Sequence, residues 1–516
     1  MSKQEELISM VQSSFEMKGT SIILGAAKYE EAVLPQALVK APLKTFNRHG
    51  LIAGATGTGK TKTLQKLAEQ LSLNGVPSLL MDIKGDLSGI SQAGTGNPKI
   101  EERHQLIGMP WEGVAMPVEF LSISDEQGVK MRATISEFGP VLLSKILELN
   151  DTQSGVVSMI FKYCDDRQLP LLDIKDFRKV CQHLQTDKGK EEIERDYGLA
   201  TSASIGAIMR NILEVEQQGA DKFFGEPSFE VEDLLRTDNR GYGYCNVLRL
   251  SDLQAKPALF STFMLCLLAE IYEKFPEQGD QDKPKLCIFI DEAHLIFDEA
   301  SKSLLNQITT IVKLIRSKGV GLFFITQDPT DVPEEVLGQL GMKIQHALRA
   351  FTEKDRKAIK TIAENFPLSD YYKTSELLTN LGIGEALVTV LNEKGIPTPL
   401  VQVYMTAPQS RMDVISAEEL GNIVDDSNLA KKYNQDIDRE SAFEILSGKL
   451  AQKAVPEQEE EEKEEEAPKE KKGKSTLEEV MNSSVTRTIV REVTRGLLGV
   501  LGLKSTGTRR RKSSWF

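Results

Sequence analysis

Two short stretches of this chain combine residue types that act on phosphate groups. The first runs from Leu51 to Thr61 as Leu-Ile-Ala-Gly-Ala-Thr-Gly-Thr-Gly-Lys-Thr and contains the pattern G-x-x-x-x-G-K-T. Glycines let the backbone turn tightly, so that successive N–H groups point into one concavity. Lys60 would reach the β- and γ-phosphates of a nucleoside triphosphate, and the Thr61 hydroxyl would be a ligand of Mg²⁺. The pattern predicts a phosphate-binding loop made of Gly54, Ala55, Thr56, Gly57, Thr58, Gly59, Lys60, Thr61 and Lys62.

The second stretch is Ile288-Phe-Ile-Asp-Glu292, an apolar run that ends in two carboxylates. Asp291 is expected to hold the metal ion through water, and Glu292 is expected to act as general base on the attacking water. Gln327 ends a later apolar run, where a polar side chain can sense the γ-phosphate or orient water. Each of these three interpretations has an alternative. The glycine loop could be a turn that binds no ligand, Asp291 and Glu292 could lie in a surface turn, and Gln327 could cap the end of a strand.

Arginines after the second stretch are candidates for a residue that stabilises transition-state charge in a neighbouring subunit. Arg316, Arg349 and Arg356 have suitable positions along the chain, and the sequence does not choose among them. Arg316 and Arg349 are retained here as candidate catalytic residues. At least two of the three are expected to be surface or salt-bridge residues.

The elements around these stretches fit their chemistry. An apolar run precedes Gly54, and a helical pattern with an apolar face follows Thr61, which is the context that a phosphate-binding loop requires. Further apolar runs alternate with helical patterns and predict a doubly wound, mostly parallel α/β sheet. Strands are expected at 21–25, 76–83, 117–123, 244–250, 285–291, 320–326, 344–348, 386–391 and 400–404. The proline-containing stretch between 26 and 45 is read as a connection.

Composition places the chain among soluble globular proteins, with 516 residues, 40% hydrophobic and 27% charged residues. Five scattered cysteines indicate reduced core residues of a cytosolic protein. Neither a signal peptide nor an apolar run of about 18 residues is present, so a cytoplasmic location is expected. The net charge of −13 argues weakly against general nucleic-acid binding, because part of it lies in one run near the C-terminus.

The pattern along the chain predicts the following organisation: an N-terminal segment 1–44, an ATPase core 45–125 and 240–408, a helical insertion 126–239, a helical extension 409–455, a charged disordered linker 456–475, and a basic amphipathic C-terminal helix and tail 476–516.

Four motifs in order resemble the HerA/FtsK superfamily, and the whole chain is similar to a bacterial HerA-like branch. They are the Gly54–Thr61 loop, Met81-Asp-Ile-Lys-Gly-Asp86, Phe289-Ile-Asp-Glu-Ala-His294 and Arg316-Ser-Lys-Gly-Val-Gly-Leu-Phe-Phe-Ile-Thr-Gln327. The resemblance implies a RecA-like core, ATP and Mg²⁺ as cofactors, and a hexameric ring that translocates along double-stranded DNA. It also places Asp82 and Asp86 near the nucleotide. Archaeal HerA proteins open with a β-barrel, for which the residues before Leu51 are too few.

Three hypotheses about function follow. The leading one is an ATP-driven double-stranded DNA translocase or helicase that forms a homo-hexamer. The second keeps the ATPase but has it remodel or pump protein at a membrane or partner complex, and the third is an ATP-switched scaffold. The helix within 476–516 would bind a nuclease, a membrane surface or DNA, or would pack on the ring.

Overall fold

The computed structural model describes residues 2–253, 257–279, 281–297, 302–435, 437 and 439–453. The predicted linker 456–475 and C-terminal helix 476–516 lie outside the described residues. Within the described residues, the strands are β1 (Ser21–Tyr29), β2 (Ala32–Pro42), β3 (Gly50–Ala53), β4 (Ser78–Asp82), β5 (Val118–Ser122), β6 (Val129–Lys130), β7 (Cys245–Arg249), β8 (Leu286–Ile290), β9 (Val320–Thr326), β10 (Met342–Gln345), β11 (Glu385–Thr389) and β12 (Val401–Met405).

The α-helices of the same residues follow the strands in alternation over much of the chain. They are α1 (Lys3–Ser14), α2 (Lys60–Leu73), α3 (Pro98–Ile107), α4 (Ile135–Ile146), α5 (Asp151–Arg167), α6 (Ile174–His183), α7 (Asp187–Asp196), α8 (Ser202–Gln217), α9 (Pro257–Lys274), α10 (His294–Phe297), α11 (Lys302–Ile315), α12 (Glu334–Leu337), α13 (Glu353–Glu364), α14 (Thr374–Asn380), α15 (Ala417–Asp426), α16 (Asn428–Tyr433) and α17 (Ala442–Lys453).

All the described strands join one sheet in the order β2-β1-β12-β11-β10-β3-β9-β8-β4-β7-β5-β6. The pairs from β10 through β6 are parallel, and those from β2 through β10 are antiparallel. Strands β3, β4, β8 and β9 are buried along their whole length, as expected for parallel strands covered on both faces. The predicted doubly wound sheet is therefore present, with an antiparallel side added to it.

The antiparallel side includes a strand that the sequence analysis missed. The stretch interpreted as a connection forms β2, which pairs with β1 at the outer edge of the sheet. Pro35 lies where the register between the two strands shifts. An edge strand tolerates a proline there because its missing N–H leaves no neighbouring carbonyl unpaired. Prolines in this stretch therefore favoured the wrong interpretation.

The chain divides into two compact units. The first comprises the described residues of 2–133 and 218–437, and the second comprises 134–217 together with the described residues 439–453. Helices α4 to α8 of the second unit lie within the predicted helical insertion 126–239, whereas β6 and residues 218–239 belong to the first unit. Of the predicted extension 409–455, α15 and α16 belong to the first unit and α17 to the second.

The placement of the cysteines agrees with the prediction that they are core residues. All five cysteines are buried and free. Among the described helices, none is both long enough and apolar enough to cross a bilayer.

Candidate active site

The glycine-rich loop joins β3 to α2 and turns on three glycines. Gly54, Gly57 and Gly59 have φ values of +151°, +79° and +120°, a region that side chains strongly disfavour. A Cβ on Gly54 would lie 2.6 Å from the Cβ of His346. Among the described residues, no backbone carbonyl or side chain accepts the N–H groups of Thr56 and Gly57. These two donors are therefore available to a ligand, as the pattern predicts.

Lys60 is the first residue of α2, and its side chain folds back over the loop. Its ammonium donates to the carbonyl oxygens of Gly54 at 2.6 Å and Ala55 at 3.1 Å. Burial lowers the pKa of Lys60, and the charge of Lys84 lowers it further, against the opposing effects of Glu292 and Asp291. The predicted lysine and both predicted carboxylates therefore share one electrostatic environment.

Two side chains that the sequence analysis did not single out support this loop. His346, after β10, contacts the hydroxyl of Thr63 at 2.9 Å and the carbonyl of Glu385 at 2.8 Å. Because a carbonyl only accepts, Nδ1 carries the proton and Nε2 accepts from Thr63. Arg103 donates to three carbonyl oxygens, those of Ile383, Gly384 and Met405.

The bond between the loop and this support is made by backbone atoms. The N–H of Gly384 donates to the carbonyl of Thr58 at 3.0 Å, and the Thr58 hydroxyl donates to the carbonyl of Ala55 at 2.7 Å. The loop is thus fixed from the β11 side before any ligand binds.

The two carboxylates follow β8, and β9 alone separates that strand from β3 in the sheet. Asp291 is buried, and this burial raises its pKa to about 6, with Lys84 opposing and Glu292 adding to the effect. Glu292 has a φ of +47°, a left-handed conformation that costs a non-glycine residue roughly 1 kcal/mol or more. Both carboxylate oxygens of Glu292 are shielded from solvent.

Two basic side chains lie against the carboxylate of Glu292. Its Oε1 forms an ion pair with the ammonium of Lys84, and its Oε2 lies 3.3 Å from Nδ1 of His294. The Lys84 side chain is 36% exposed, whereas that of Glu292 is 5% exposed. Burial alone would lower the pKa of Lys84, but the bond to Glu292 and the charge of Asp291 raise it. His294 begins α10, which accounts for its position beside Glu292.

The turn after β4 carries Lys84 and the two acids that the resemblance placed near the nucleotide. Asp82 accepts from three backbone N–H groups, those of Gly85 at 2.8 Å, Asp86 at 3.1 Å and Leu87 at 3.2 Å. Burial raises the pKa of Asp82 to about 7 in spite of these donors. Asp82 therefore shapes the turn. Asp86 differs, because its buried Oδ1 has no donor among the described residues.

The remaining predicted residues lie at different distances from this centre. Gln327 directly follows β9, and its Oε1 accepts from the hydroxyl of Thr56 at 3.2 Å. Lys62 turns away from the loop and donates to the carbonyl of Met412. Arg349 is exposed and follows β10 by four residues, at the same edge as the loop.

Arg316 lies at the amino ends of the parallel strands, opposite to the carboxyl ends where the glycine loop lies. It precedes β9, which is parallel to β3, whereas the glycine loop follows β3. The seven residues of β9 span about 20 Å at roughly 3.3 Å per residue. Arg316 therefore cannot reach the loop of its own chain.

A segment beyond β12 ties α2 to the turn after β4. The carboxylate of Glu69 accepts from the N–H groups of Gln409 and Ser410, both at 2.8 Å. The same segment bonds to the turn region, where the N–H of Ile415 donates to the hydroxyl of Ser88 at 3.2 Å. No motif marked residues 409–415, because their contacts join positions that lie far apart in the sequence.

The chain matches the family model described as "Helicase HerA-like C-terminal" over residues 29–506. The chain belongs to this family. It is a P-loop ATPase of the HerA/FtsK type.

Relatives in this group include DNA double-strand break repair helicases named HerA. The one from Saccharolobus solfataricus is 23% identical over 68% of this chain and 63% of its own length. The DNA import protein CedB of Sulfolobus acidocaldarius is 23% identical over 69% of this chain and 52% of its own length. The chain thus spans between about half and two thirds of these two relatives.

The bacterial conjugative coupling protein TrwB has a similar solved structure. It superposes with a TM-score of 0.52 at 14% identity, covering 79% of this chain and 94% of the solved TrwB chain. This likeness confirms the predicted RecA-like α/β fold.

Proposed function

We propose that this protein is an ATP-driven motor that acts on double-stranded DNA. The observation that carries the proposal is the convergence of Lys60, Asp291 and Glu292 at one edge of a parallel sheet, with Gln327 hydrogen-bonded to the same loop. A loop with open N–H donors, a metal-binding acid and a base are the parts that hydrolysis of a nucleoside triphosphate needs. The names of the HerA and CedB relatives support DNA as the substrate.

The residues present fit a bound magnesium nucleotide. The loop from Gly54 to Lys62 would hold the phosphates, with Lys60 as their main cation. Thr61 and Asp291 would hold Mg²⁺, and the donor-free buried oxygen of Asp86 suits a hydrated cation better than an apolar setting. Mg²⁺ supplies neutralisation of phosphate charge in such sites.

Glu292 would take the proton from the attacking water once it is freed from its present partners. Gln327 would orient that water. Exposed Arg349 lies at the nucleotide edge, and Arg316 lies at the opposite edge, so Arg316 can serve only the site of another subunit. A homo-hexameric ring would bring such an edge against a neighbouring site. A cytoplasmic location and a nuclease or membrane partner for 476–516 remain predictions.

Stimulation of ATP hydrolysis by DNA tests this proposal. Steady-state hydrolysis by the full chain is measured alone, with double-stranded DNA, and with polyglutamate of matched charge, at low and high salt. We expect stimulation by DNA only, and we expect it to weaken at high salt because phosphate contacts release counterions. Hydrolysis that is indifferent to DNA would contradict the proposal and favour the protein-remodelling alternative.

A further inference from the structure

Lys84 occupies a position that connects the two halves of the site. Its ammonium pairs with Glu292, and its charge also acts on Lys60 and Asp291. Lys84 therefore contacts one of the acids that follow β8, and its charge acts on the phosphate-binding lysine as well. The sequence motif singled out the carboxylates of Asp82 and Asp86. The residue of this motif that contacts Glu292 is the lysine between them, Lys84.

The ion pair blocks Glu292 as a base. The ammonium occupies Oε1, His294 lies against Oε2, and neither oxygen contacts solvent. A water molecule cannot donate a proton to a carboxylate in this state. Some group must therefore draw Lys84 away before Glu292 can act.

A phosphate is the partner that suits this exchange. The ammonium of Lys84 is partly exposed. Burying it beside the ammonium of Lys60 would cost free energy unless an anion bound both ammonium groups. The terminal phosphate of a nucleoside triphosphate would be such an anion beside Lys60. A nucleoside diphosphate has no terminal phosphate and would leave Lys84 on Glu292.

We propose that Lys84 is a positioning residue that exchanges its partner, from the Glu292 carboxylate to the terminal phosphate of the bound nucleotide, and thereby frees Glu292 to accept a proton. This inference rests on the proposed function. It assigns Lys84 a role in distinguishing triphosphate from diphosphate. No covalent bond changes in the exchange.

The turn that carries Lys84 is built to hold its backbone still during the exchange. Asp82 binds three of its N–H groups, and Gly89 packs against the carbonyl oxygens of Arg411 and Asp413. Because the backbone is fixed at both ends, movement is left to the long, flexible lysine side chain.

Equilibrium binding of magnesium adenylyl imidodiphosphate and of magnesium ADP tests the exchange without hydrolysis. For Lys84→Ala we expect about tenfold weaker binding of the triphosphate analogue, as for loss of one charged hydrogen bond, with ADP affinity unchanged. Lys84→Arg should restore much of the preference, because it keeps the charge. An equal loss for both nucleotides, or no loss for either, would overturn the inference.

A double-mutant cycle adds a second criterion. Glu292→Gln removes the competing charge, so it should tighten binding of the triphosphate analogue when Lys84 is present and have no such effect in Lys84→Ala. Tightening that is independent of Lys84 would also contradict the inference. If the wild-type chain binds neither nucleotide, the proposed function itself is wrong; if it binds both and Lys84→Ala keeps the preference, only the exchange is wrong.

Discussion

The loop after β3 and the turn after β4 both lie at the carboxyl ends of the parallel strands, but they differ in whether their backbone N–H groups are hydrogen-bonded. The loop after β3 leaves the N–H groups of Thr56 and Gly57 without an acceptor among the described residues. In the turn after β4, three N–H groups donate to the carboxylate of Asp82. The first turn is therefore open to an anion through its backbone, and the second can respond only through the side chains of Lys84 and Asp86.

This contrast explains what each turn contributes. Backbone donors at a helix N-terminus bind phosphate in a fixed geometry, so the first turn provides affinity. The side chain of Lys84 can change its ion-pair partner while the backbone of the turn after β4 stays fixed, so this turn can respond to the bound nucleotide.

Removing the cation of the open loop should abolish nucleotide hydrolysis. For Lys60→Ala we expect a loss of about 1,000-fold or more, since the residue would neutralise phosphate charge in both ground and transition states. Hydrolysis assays with matched nucleotide-binding measurements would detect it. Lys357→Ala is the control, because Lys357 is exposed on α13 and forms an ion pair with Glu353 at the surface. Retention of wild-type rates by Lys60→Ala would refute the assignment of the loop.

Removing the carboxylate that closes the second turn should destabilise the protein. Asp82→Ala leaves three N–H groups without their acceptor, so we expect a loss of about 3 kcal/mol in the free energy of unfolding. Chemical denaturation would measure it. Asp125→Ala is the control, since Asp125 pairs with Lys222 at the surface, where such pairs contribute little. Equal stability of both variants would show that Asp82 does not shape the turn.

Adding a side chain at the helix end of the open loop should strain it. Gly59→Ala forces a φ of +120° on alanine and brings its Cβ to 3.4 Å from the N atom of Gly384. We expect about 2 kcal/mol of destabilisation, together with weaker nucleotide binding. In Gly155→Ala the new Cβ meets no atom within 4 Å, and its helical setting predicts a neutral or stabilising effect. The same response at both positions would argue against strain at Gly59.

The buried histidine beneath the open loop should make stability depend on pH. Burial lowers the pKa of His346 to about 4 from 6.5, so the unfolded chain binds more protons than the folded chain between these values. Stability is therefore complete above pH 6.5 and falls as the pH drops toward 4, by about 1.4 kcal/mol at pH 5.5. Denaturation midpoints of wild type and His346→Gln at neutral and acid pH would reveal this term. A pH slope that His346→Gln leaves unchanged would exclude His346 as its source.

The sequence predicted the open loop better than the closed turn for a physical reason. The loop has a local signature, namely Gly54, Gly57 and Gly59 followed by a lysine. Few other structures require glycines at this spacing, so the loop can be predicted from the sequence alone. The role of Lys84 depends on which strand neighbours β4, and that pairing with β8 arises only on folding. His346 and the 409–415 segment act through contacts of high sequence separation and carry no local signal.

The sheet shows the same division. The parallel strands other than β6 were predicted from continuous apolar runs, and their bounds differ by a few residues from those observed. The two-residue strand β6 was missed, because it lies in the stretch predicted to be a helical insertion. Strand β2 was missed because an edge position permits the prolines and exposed residues that otherwise indicate a connection. Its membership of the sheet depends on pairing with β1, which local composition does not reveal.

The most direct test of the central claim, that the carboxyl edge of this sheet is an ATPase site, is single-turnover hydrolysis of magnesium ATP by Glu292→Gln beside wild type at saturating nucleotide. We expect the variant to bind the nucleotide and to hydrolyse it about 100-fold or more slowly than wild type, because glutamine keeps the side-chain shape and lacks the base. Hydrolysis by the variant at the wild-type rate, with the nucleotide bound, would contradict the assignment of this ATPase site.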